Sequence, residues 1–262
     1  MVSTDLSSGH AAPAGSLVLL RGLARQAAHW GDLPTQLAQS LNMPVYCPDL
    51  PGMGEASAQT AARSIPLQTL QLLPRLLGHI PPPWHLVGMS LGGMVALELA
   101  RQQSAQVASV VLINSSVASL SPFYHRLQWP MYPKVLACLL ASAATREALI
   151  LQMTSAYSVS EQHPALAQWQ GIARRQPVST VNALRQLWAA SRYQLQGMPE
   201  CAGLVITSAA DQLVSPRCSE ALSHALGWPL RRHPSAGHDI ALDEPRWLYQ
   251  QLLDFYQSLS SK

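Results

Sequence analysis

The sequence Gly-Met-Ser-Leu-Gly at residues 88–92 constrains the fold of this chain more than any other feature. A short apolar run at residues 85–87 predicts a buried strand before it, and residues 93–100 predict a helix after it. A strand that turns at once into a helix holds the middle residue in a strained conformation, and a Cβ at either flanking position would collide with a neighbouring element. The pattern predicts that Ser90 is a nucleophile at a helix N-terminus, with a chance match in a turn as the alternative.

A serine hydroxyl needs a general base and a group that orients this base. A β-branched, apolar run at residues 203–208 predicts a strand, and Asp211 follows it, at the edge where parallel sheets gather their ligands. His238 lies in a later loop of small residues, where Gly237 is expected to allow a sharp turn toward Ser90. The chain order of serine, acid and histidine predicts a catalytic triad.

Other residues compete for the acid and base roles. Asp211 is also a residue type that caps helices and turns. His233 is close to His238 in sequence, but it follows two arginines in a predicted strand and is expected to flank the sheet. Asp239 and Asp243 are too near His238 along the chain to support it easily from across a site. Asp211 is therefore the predicted acid.

Together with Asp-Leu-Pro-Gly-Met-Gly at residues 49–54, these motifs resemble those of the α/β-hydrolase superfamily. Within it, the chain resembles small serine esterases with a helical cap, such as the pimeloyl-carrier-protein methyl ester esterases. The resemblance covers nearly the whole chain in order. It implies an α/β-hydrolase fold, with a doubly wound, mostly parallel sheet and an inserted helical cap, and a mechanism without a metal ion or cofactor. Esterases, thioesterases, lipases and haloperoxidases share these motifs, so the substrate stays open.

The resemblance also assigns an oxyanion hole, which uses two backbone amides, here those of Leu23 and Leu91. Members of the superfamily usually have histidine before the glycine of this loop, and this chain has Arg21. Arg21 either braces the loop by hydrogen bonding to carbonyl groups or binds a substrate carboxylate.

The resemblance also bears on the acidic member of the triad. Another position known for this acid in the superfamily, after the strand predicted at residues 107–113, holds Asn114 in this chain, which again favours Asp211.

Composition agrees with one α/β domain plus an insertion. A chain of 262 residues with 48% hydrophobic content can bury one sizeable core, and a net charge of +3 is too small to indicate nucleic-acid binding. No apolar run is long enough to span a membrane, and the first ten residues lack the features of a secretory signal. The four scattered cysteines (Cys47, Cys138, Cys201 and Cys218) predict reduced thiols, so a cytoplasmic location is expected.

Strand and helix signals alternate along most of the chain, which predicts a parallel sheet covered on both faces. Strands are predicted at residues 17–20, 43–47, 85–87, 107–113 and 203–208, and helices at 33–41 (with Asp32 as its N-terminal cap) and 66–79. Only helices are predicted from about residue 120 to 198, at 134–144, 145–157, 164–174 and 179–193. We therefore expect a core of residues 1–119 and 199–262 and a helical cap of residues 120–198.

Side chains of the cap are expected to roof an acyl pocket. The candidates are aromatic or contain sulfur, and each is also typical of ordinary packing: Phe123, Tyr124, Trp129, Met131, Tyr132, Met153 and Trp169. The predicted substrate contacts are Arg21, Met89, Trp129 and Met153.

The cap is also basic. It contains Arg126, Lys134, Arg146, Arg174, Arg175, Arg185 and Arg192 but only Glu147 and Glu161. This excess of positive charge would attract an anionic carrier, such as acyl carrier protein or coenzyme A; a solvated helical surface is the alternative.

The motifs and the resemblance predict a serine hydrolase that cleaves small-molecule carboxylic esters with short- to medium-chain acyl groups through an acyl-enzyme. Three alternatives stay open: a thioesterase or acyltransferase acting on carrier-linked acyl groups, a cofactor-free haloperoxidase, and a non-catalytic ligand receptor.

Overall fold

Six parallel strands form one sheet in the computed structural model, which describes residues 14–157 and 164–260. Their order across the sheet is β2-β1-β3-β4-β5-β6, which is the order expected of a doubly wound sheet. The strands are β1 (Ser16–Leu20), β2 (Val45–Tyr46), β3 (Trp84–Met89), β4 (Val107–Ile113), β5 (Ala202–Ser208) and β6 (Leu230–His233). Glu161, which was counted in the charge of the cap, and the first ten residues, which were expected to lack a secretory signal, lie outside the described residues.

The helices occupy the connections between strands. In the core these are α1 (Leu33–Leu41), α2 (Ile65–His79), α3 (Leu91–Gln102), α9 (Pro216–Leu226), α10 (Ile240–Asp243) and α11 (Pro245–Ser260). Between β4 and β5 lie the cap helices α4 (Phe123–Arg126), α5 (Tyr132–Leu140), α6 (Ala143–Thr154), α7 (Pro164–Arg175) and α8 (Thr180–Arg192). Short 3₁₀ turns occur at Ala27–Trp30, Gly54–Ala56, Ser104–Gln106 and Trp129–Met131. The division into a core of residues 1–119 and 199–262 and a cap of residues 120–198 stays a prediction.

The core consists of two apolar layers, one on each face of the sheet. Neighbouring residues of a strand point to opposite faces, so Leu86 packs in the layer that includes α2 and α3, and Val87 packs in the layer with α1 and α11. Both side chains are fully buried. Burial on both faces explains why these strands are continuous apolar runs and do not alternate with polar residues.

Two local predictions differ from the structure. Asp32 precedes α1, but its side chain makes no capping hydrogen bond, because its backbone is already helical, with φ −85° and ψ −6°. The strand predicted at residues 43–47 is only Val45–Tyr46, because Pro44 and Pro48 on either side lack the N–H that a sheet requires.

The sheet brings the carboxyl ends of its central strands together. Met89 at the end of β3 pairs with Ile113 of β4, and Ile113 pairs with Ile206 of β5. The residues that follow these strands therefore share one edge, where ligands of such sheets bind. Of the helices in the described part of the chain, none is both long and apolar enough to cross a bilayer.

Candidate active site

Ser90 occupies the turn between β3 and α3 in a strained backbone conformation, with φ 54° and ψ −117°. Its N–H donates to the Ile113 carbonyl at 2.8 Å. Its carbonyl accepts the Ser115 hydroxyl at 2.8 Å and the Gly93 N–H at 3.0 Å. The turn is thus fixed by β4 and by the first turn of α3, which holds the Ser90 side chain at the edge of the sheet.

Both glycines beside this turn are required by close approach of the backbone. A Cβ on Gly88 would lie 2.4 Å from the Gly92 carbonyl oxygen, and a Cβ on Gly92 would lie 2.2 Å from the Leu20 carbonyl oxygen. These distances are too short for any side chain, as the sequence pattern predicts.

Asp211 and His238 form a buried pair at the same edge of the sheet as Ser90. The distance between His238 Nδ1 and Asp211 Oδ2 is 2.7 Å. The second oxygen of Asp211 accepts the N–H groups of Leu213 at 2.8 Å and Val214 at 2.9 Å, so the carboxylate also caps its own turn. The side chain of Gln128, from the cap, donates to the Asp211 carbonyl at 2.8 Å.

The environment of His238 raises its pKa. Burial alone would lower the pKa of the imidazole, but the charge of Asp211 and its hydrogen bond to Nδ1 outweigh burial. Asp239 raises this pKa further, whereas Arg21 lowers it. The pair is therefore arranged to stabilise an imidazolium cation.

Asn114 holds the loop that carries His238, a role that was not predicted from the sequence. Its amide nitrogen donates to the His238 carbonyl at 2.9 Å and to the Ser208 hydroxyl at 3.0 Å, and its oxygen accepts the Ser208 N–H at 2.9 Å. The backbone of Asn114 has φ 46°, a left-handed conformation that asparagine tolerates better than most residues. An asparagine directly after a buried strand was the available signal.

His233 flanks the sheet, at the end of β6, as the sequence suggests. Its Nδ1 accepts the N–H of Ala236 at 2.9 Å and of Ser235 at 3.3 Å, and its ring packs edge-on against Trp247. These contacts shape the start of the His238 loop.

Gly237 is needed for a different reason from the one predicted. It lies outside the left-handed region, so it makes no turn that excludes other residues. However, a Cβ on Gly237 would lie 2.6 Å from both the Thr154 carbonyl oxygen and the Ala156 nitrogen. Asp243 joins the same two segments by accepting the N–H groups of Gly237 at 2.7 Å and Ala156 at 2.9 Å. The glycine lets the end of α6 contact the histidine loop.

Leu23 and Leu91 carry the two amides predicted to form an oxyanion hole. Both residues line one cavity together with Ser90. Leu91 is the first residue of α3, so its N–H has no acceptor within the helix. Within residues 14–157 and 164–260, neither amide donates to a protein acceptor. The loop of Leu23 passes close to the nucleophile, since a Cβ on Gly22 would lie 3.2 Å from Ser90 Cβ.

Arg21 contacts a carboxylate and not the carbonyl groups that were predicted. Its two terminal nitrogens lie 2.5 Å and 3.3 Å from the Asp239 oxygens, and one of them also contacts the Met89 sulfur at 3.3 Å. The guanidinium is 4.7 Å from the Trp30 ring centre. Arg21 lines the cavity, but its positive charge is already neutralised by Asp239.

The cavity has a volume of about 530 Å³ and extends from Ser90 and His238 to the cap helices. Its wall is largely apolar and includes Phe123, Leu127, Tyr132, Met153, Leu184 and Trp188. This size and lining are typical of a site for a small organic molecule.

The predicted pocket residues have different positions. Met89 and Met153 line the cavity, whereas Trp129 is 74% exposed and lies outside its wall, which corrects the prediction. Gln128 is tied to the core through the Leu213 carbonyl, and the 3₁₀ turn that follows directs Trp129 outward. Of the other candidates, Tyr124 is half exposed and Met131 and Trp169 pack inside the cap.

Several arginines of the cap donate hydrogen bonds to backbone carbonyl groups of the protein. Arg126 donates to the carbonyls of Ala190 and Ser191, and Arg146 donates to those of Cys138 and Val178. By contrast, Arg174 and Arg175 are exposed at the end of α7.

The family of this chain follows from comparison with known proteins. The model of the alpha/beta hydrolase family matches residues 17–251. The chain belongs to the alpha/beta hydrolase family. Curated relatives include the pimeloyl-[acyl-carrier protein] methyl ester esterases of Aeromonas salmonicida, 36% identical over 122 residues, and Nitrosomonas europaea, 36% identical over 114 residues. These alignments cover 46% and 44% of this chain and 44% and 41% of the relatives, so the match spans less than half the length of either protein.

Solved structures show that this alpha/beta hydrolase shares its fold with enzymes of several activities. A thermophilic esterase from Thermogutta terrifontis superposes with a TM-score of 0.74 at 19% identity, over 95% of this chain and 92% of the other. The enol-lactonase from Burkholderia xenovorans LB400 gives a TM-score of 0.75 at 19% identity, over 93% and 91% of the two chains.

Proposed function

We propose that this alpha/beta hydrolase cleaves carboxylic esters with Ser90 as nucleophile, His238 as general base and Asp211 as the group that orients it. The observation that carries this proposal is the 2.7 Å contact between His238 Nδ1 and Asp211 Oδ2, beside the cavity that Ser90 lines. Since the carboxylate engages Nδ1, Nε2 is left to accept the serine proton.

In the proposed reaction, Ser90 Oγ attacks the ester carbonyl while His238 takes its proton. The amides of Leu23 and Leu91 donate to the oxyanion, and each such donor contributes roughly 3–4 kcal/mol by precedent. His238 then protonates the leaving alcohol, and water hydrolyses the acyl-enzyme. Among the described residues, Ser90 Oγ has no hydrogen bond to the imidazole; such contacts often tighten when substrate binds.

The apolar wall of the cavity supports a short- to medium-chain acyl group as the bound part of the substrate. Met89 and Met153 are the proposed acyl contacts. Arg21 is proposed to brace the oxyanion loop, because Asp239 already engages both of its terminal nitrogens.

Labelling with a fluorophosphonate tests this proposal, combined with hydrolysis of p-nitrophenyl esters from acetate to laurate. We expect a mass shift and ester turnover in the wild type, and neither in Ser90→Ala. Ser57→Ala, at an exposed position, is the matched control and should behave as the wild type. Absence of labelling would favour a ligand receptor, and preferential transfer to an added alcohol would favour an acyltransferase.

A second candidate substrate is a methyl ester carried on acyl carrier protein. The curated relatives carry the name pimeloyl-[acyl-carrier protein] methyl ester esterase, and the exposed Arg174 and Arg175 offer positive charge to an acidic carrier. Reversal of both arginines to glutamate should raise KM for carrier-linked esters alone. An equal rise for a small neutral ester would contradict the carrier hypothesis.

We also propose a core of residues 1–119 and 199–262, a cap of residues 120–198 and a cytoplasmic location. The position of helices α4–α8 between β4 and β5 supports this division into core and cap. The proposed cytoplasmic location rests on four free cysteines, which are typical of a reducing compartment.

A further inference from the structure

The loop after β1 makes a tight turn next to the nucleophile. Gly22 packs against Ser90, and the Arg25 N–H donates to the Gly22 carbonyl at 3.2 Å. Ala24 has φ 56°, a conformation that costs free energy for a residue with a Cβ. Such a turn needs external contacts to stay in one geometry, and Leu23, the proposed oxyanion donor, lies inside it.

The first external contact comes from α8. The N–H of Ala24 donates to Gln186 Oε1 at 3.0 Å, and the Gln186 side chain is fully buried. Because Ala24 follows Leu23 directly, this bond fixes the peptide unit next to the one that carries the Leu23 amide. Gln186 is 162 positions away in sequence and belongs to the cap.

The second contact comes from α6. Arg25 Nη1 lies 2.6 Å from Glu147 Oε2, and both side chains are more than 90% buried. The Arg25 guanidinium also lies 3.9 Å from the ring centre of Trp169, in α7. A buried guanidinium with a carboxylate on one side and an indole on its face has little freedom to move.

The third contact comes from the end of α7. The side-chain amide of Gln26 donates to the Gln176 carbonyl at 2.5 Å. The consecutive residues at 24–26 are therefore each bonded to a different part of the cap, while the residues before them contact the core.

We infer that the cap positions the oxyanion hole, because it fixes the backbone that presents the Leu23 amide, with Gln186 and Glu147 as positioning residues. This inference rests on the proposed ester hydrolysis and deepens it. A hydrogen-bond donor stabilises a transition state only when it is preorganised toward the developing charge. Loss of a cap contact should therefore lower kcat much more than it changes substrate binding.

Gln186→Leu tests the inference, because it keeps the side-chain size and removes the acceptor. We expect kcat per fluorophosphonate-titrated site to fall about 10- to 100-fold, with KM within about threefold of the wild type. Gln186→Glu retains an acceptor oxygen for the Ala24 N–H, so its kcat should lie above that of Gln186→Leu. Gln168→Leu is the matched control, since it makes the same change at an exposed position of the cap.

Hydrogen exchange of the Ala24 amide, measured by NMR, gives a readout that does not depend on activity. We expect this amide to exchange faster in Gln186→Leu than in the wild type and in Gln168→Leu. Unchanged exchange, or a kcat per active site equal to that of the wild type, would overturn the inference. A wild type with no ester turnover would contradict the proposed function and the inference that rests on it, whereas wild-type ester turnover with unchanged exchange in Gln186→Leu would overturn the inference alone.

A double variant covers the case in which Gln186→Leu does not fold. Arg25→Met with Glu147→Leu replaces the ion pair by apolar groups of similar volume, which proteins often tolerate. It should lower kcat with little change in KM. A double variant with wild-type kcat would assign the pair to stability alone.

Discussion

Arg21 and Asp239 form a two-point ion pair that joins the oxyanion loop to the histidine loop, with Arg21 Nη2 2.5 Å from Asp239 Oδ2. Arg21 follows β1, and Asp239 follows His238 directly in sequence. Both side chains are at least 95% buried. The pair thus connects the two loops that must keep a fixed distance during catalysis.

The first prediction concerns the stability of this pair. Arg21→Met should lower the free energy of unfolding by about 3–5 kcal/mol, because it leaves the Asp239 carboxylate buried and unpaired. Adding Asp239→Leu should recover most of this loss, since no unpaired charge remains. Urea denaturation of both variants measures the difference.

The exposed pair of Arg232 and Glu220 provides the control. Both side chains are more than 40% exposed, so Arg232→Met should cost less than about 1 kcal/mol. If Arg21→Met and Arg232→Met lose the same free energy of unfolding, burial does not explain the contribution of the Arg21–Asp239 pair to stability.

The second prediction concerns substrate charge. If Arg21 braces the loop, Arg21→His should change kcat/KM for a neutral ester and for a monoester of a dicarboxylic acid by the same factor. A loss confined to the anionic ester would assign Arg21 to substrate binding. Unchanged activity on both esters would exclude Arg21 as a substrate contact and limit it to stability.

The third prediction concerns pH. The pKa of His238 is raised, so the imidazole is protonated and inactive as a base below a pKa that lies above its ordinary value of 6.5. kcat/KM should therefore fall as pH drops through this raised pKa.

The raised pKa of His238 also affects the stability of the fold. Protonated His238 stabilises the folded state below its unfolded pKa, and this stabilisation is lost as pH rises through the folded pKa.

Asp211→Asn tests the cause of this raised pKa. It should move the acidic limb of kcat/KM to lower pH and reduce kcat by roughly four orders of magnitude by precedent, because the asparagine amide holds the imidazole in the wrong tautomer. Asp254→Asn, in α11, is the control and should leave the profile unchanged. An unshifted acidic limb in Asp211→Asn would refute the assignment of Asp211.

Sequence alone predicted those features that depend on local chemistry. The predicted bounds of α1 agree with the structure, and those of α2 differ at one residue, because apolar periodicity and proline positions decide them. The need for Gly88 and Gly92 was predictable because the strand–turn–helix motif requires glycine at both positions, although the Leu20 carbonyl that Gly92 approaches belongs to a distant strand.

Contacts between distant parts of the chain were not predictable. Arg21 and Asp239 are 218 positions apart, so only the folded chain brings the two charges together. The cap contacts of residues 24–26 follow from how the helices pack, which periodicity does not specify. The outward direction of Trp129 has the same origin, because it depends on the bonds of Gln128 to the core.

The final prediction concerns Gly237, where the end of α6 approaches the histidine loop. Gly237→Ala adds a Cβ at 2.6 Å from the Thr154 oxygen and the Ala156 nitrogen, so one of the two segments must move. We expect a loss of about 1–3 kcal/mol in unfolding free energy and a lower kcat, because His238 is the next residue. Gly78→Ala, in α2, has nothing within 4 Å of the new Cβ and should be neutral or slightly stabilising by helix propensity. Wild-type stability and kcat in Gly237→Ala would mean that the contact between α6 and the histidine loop does not hold His238 in position.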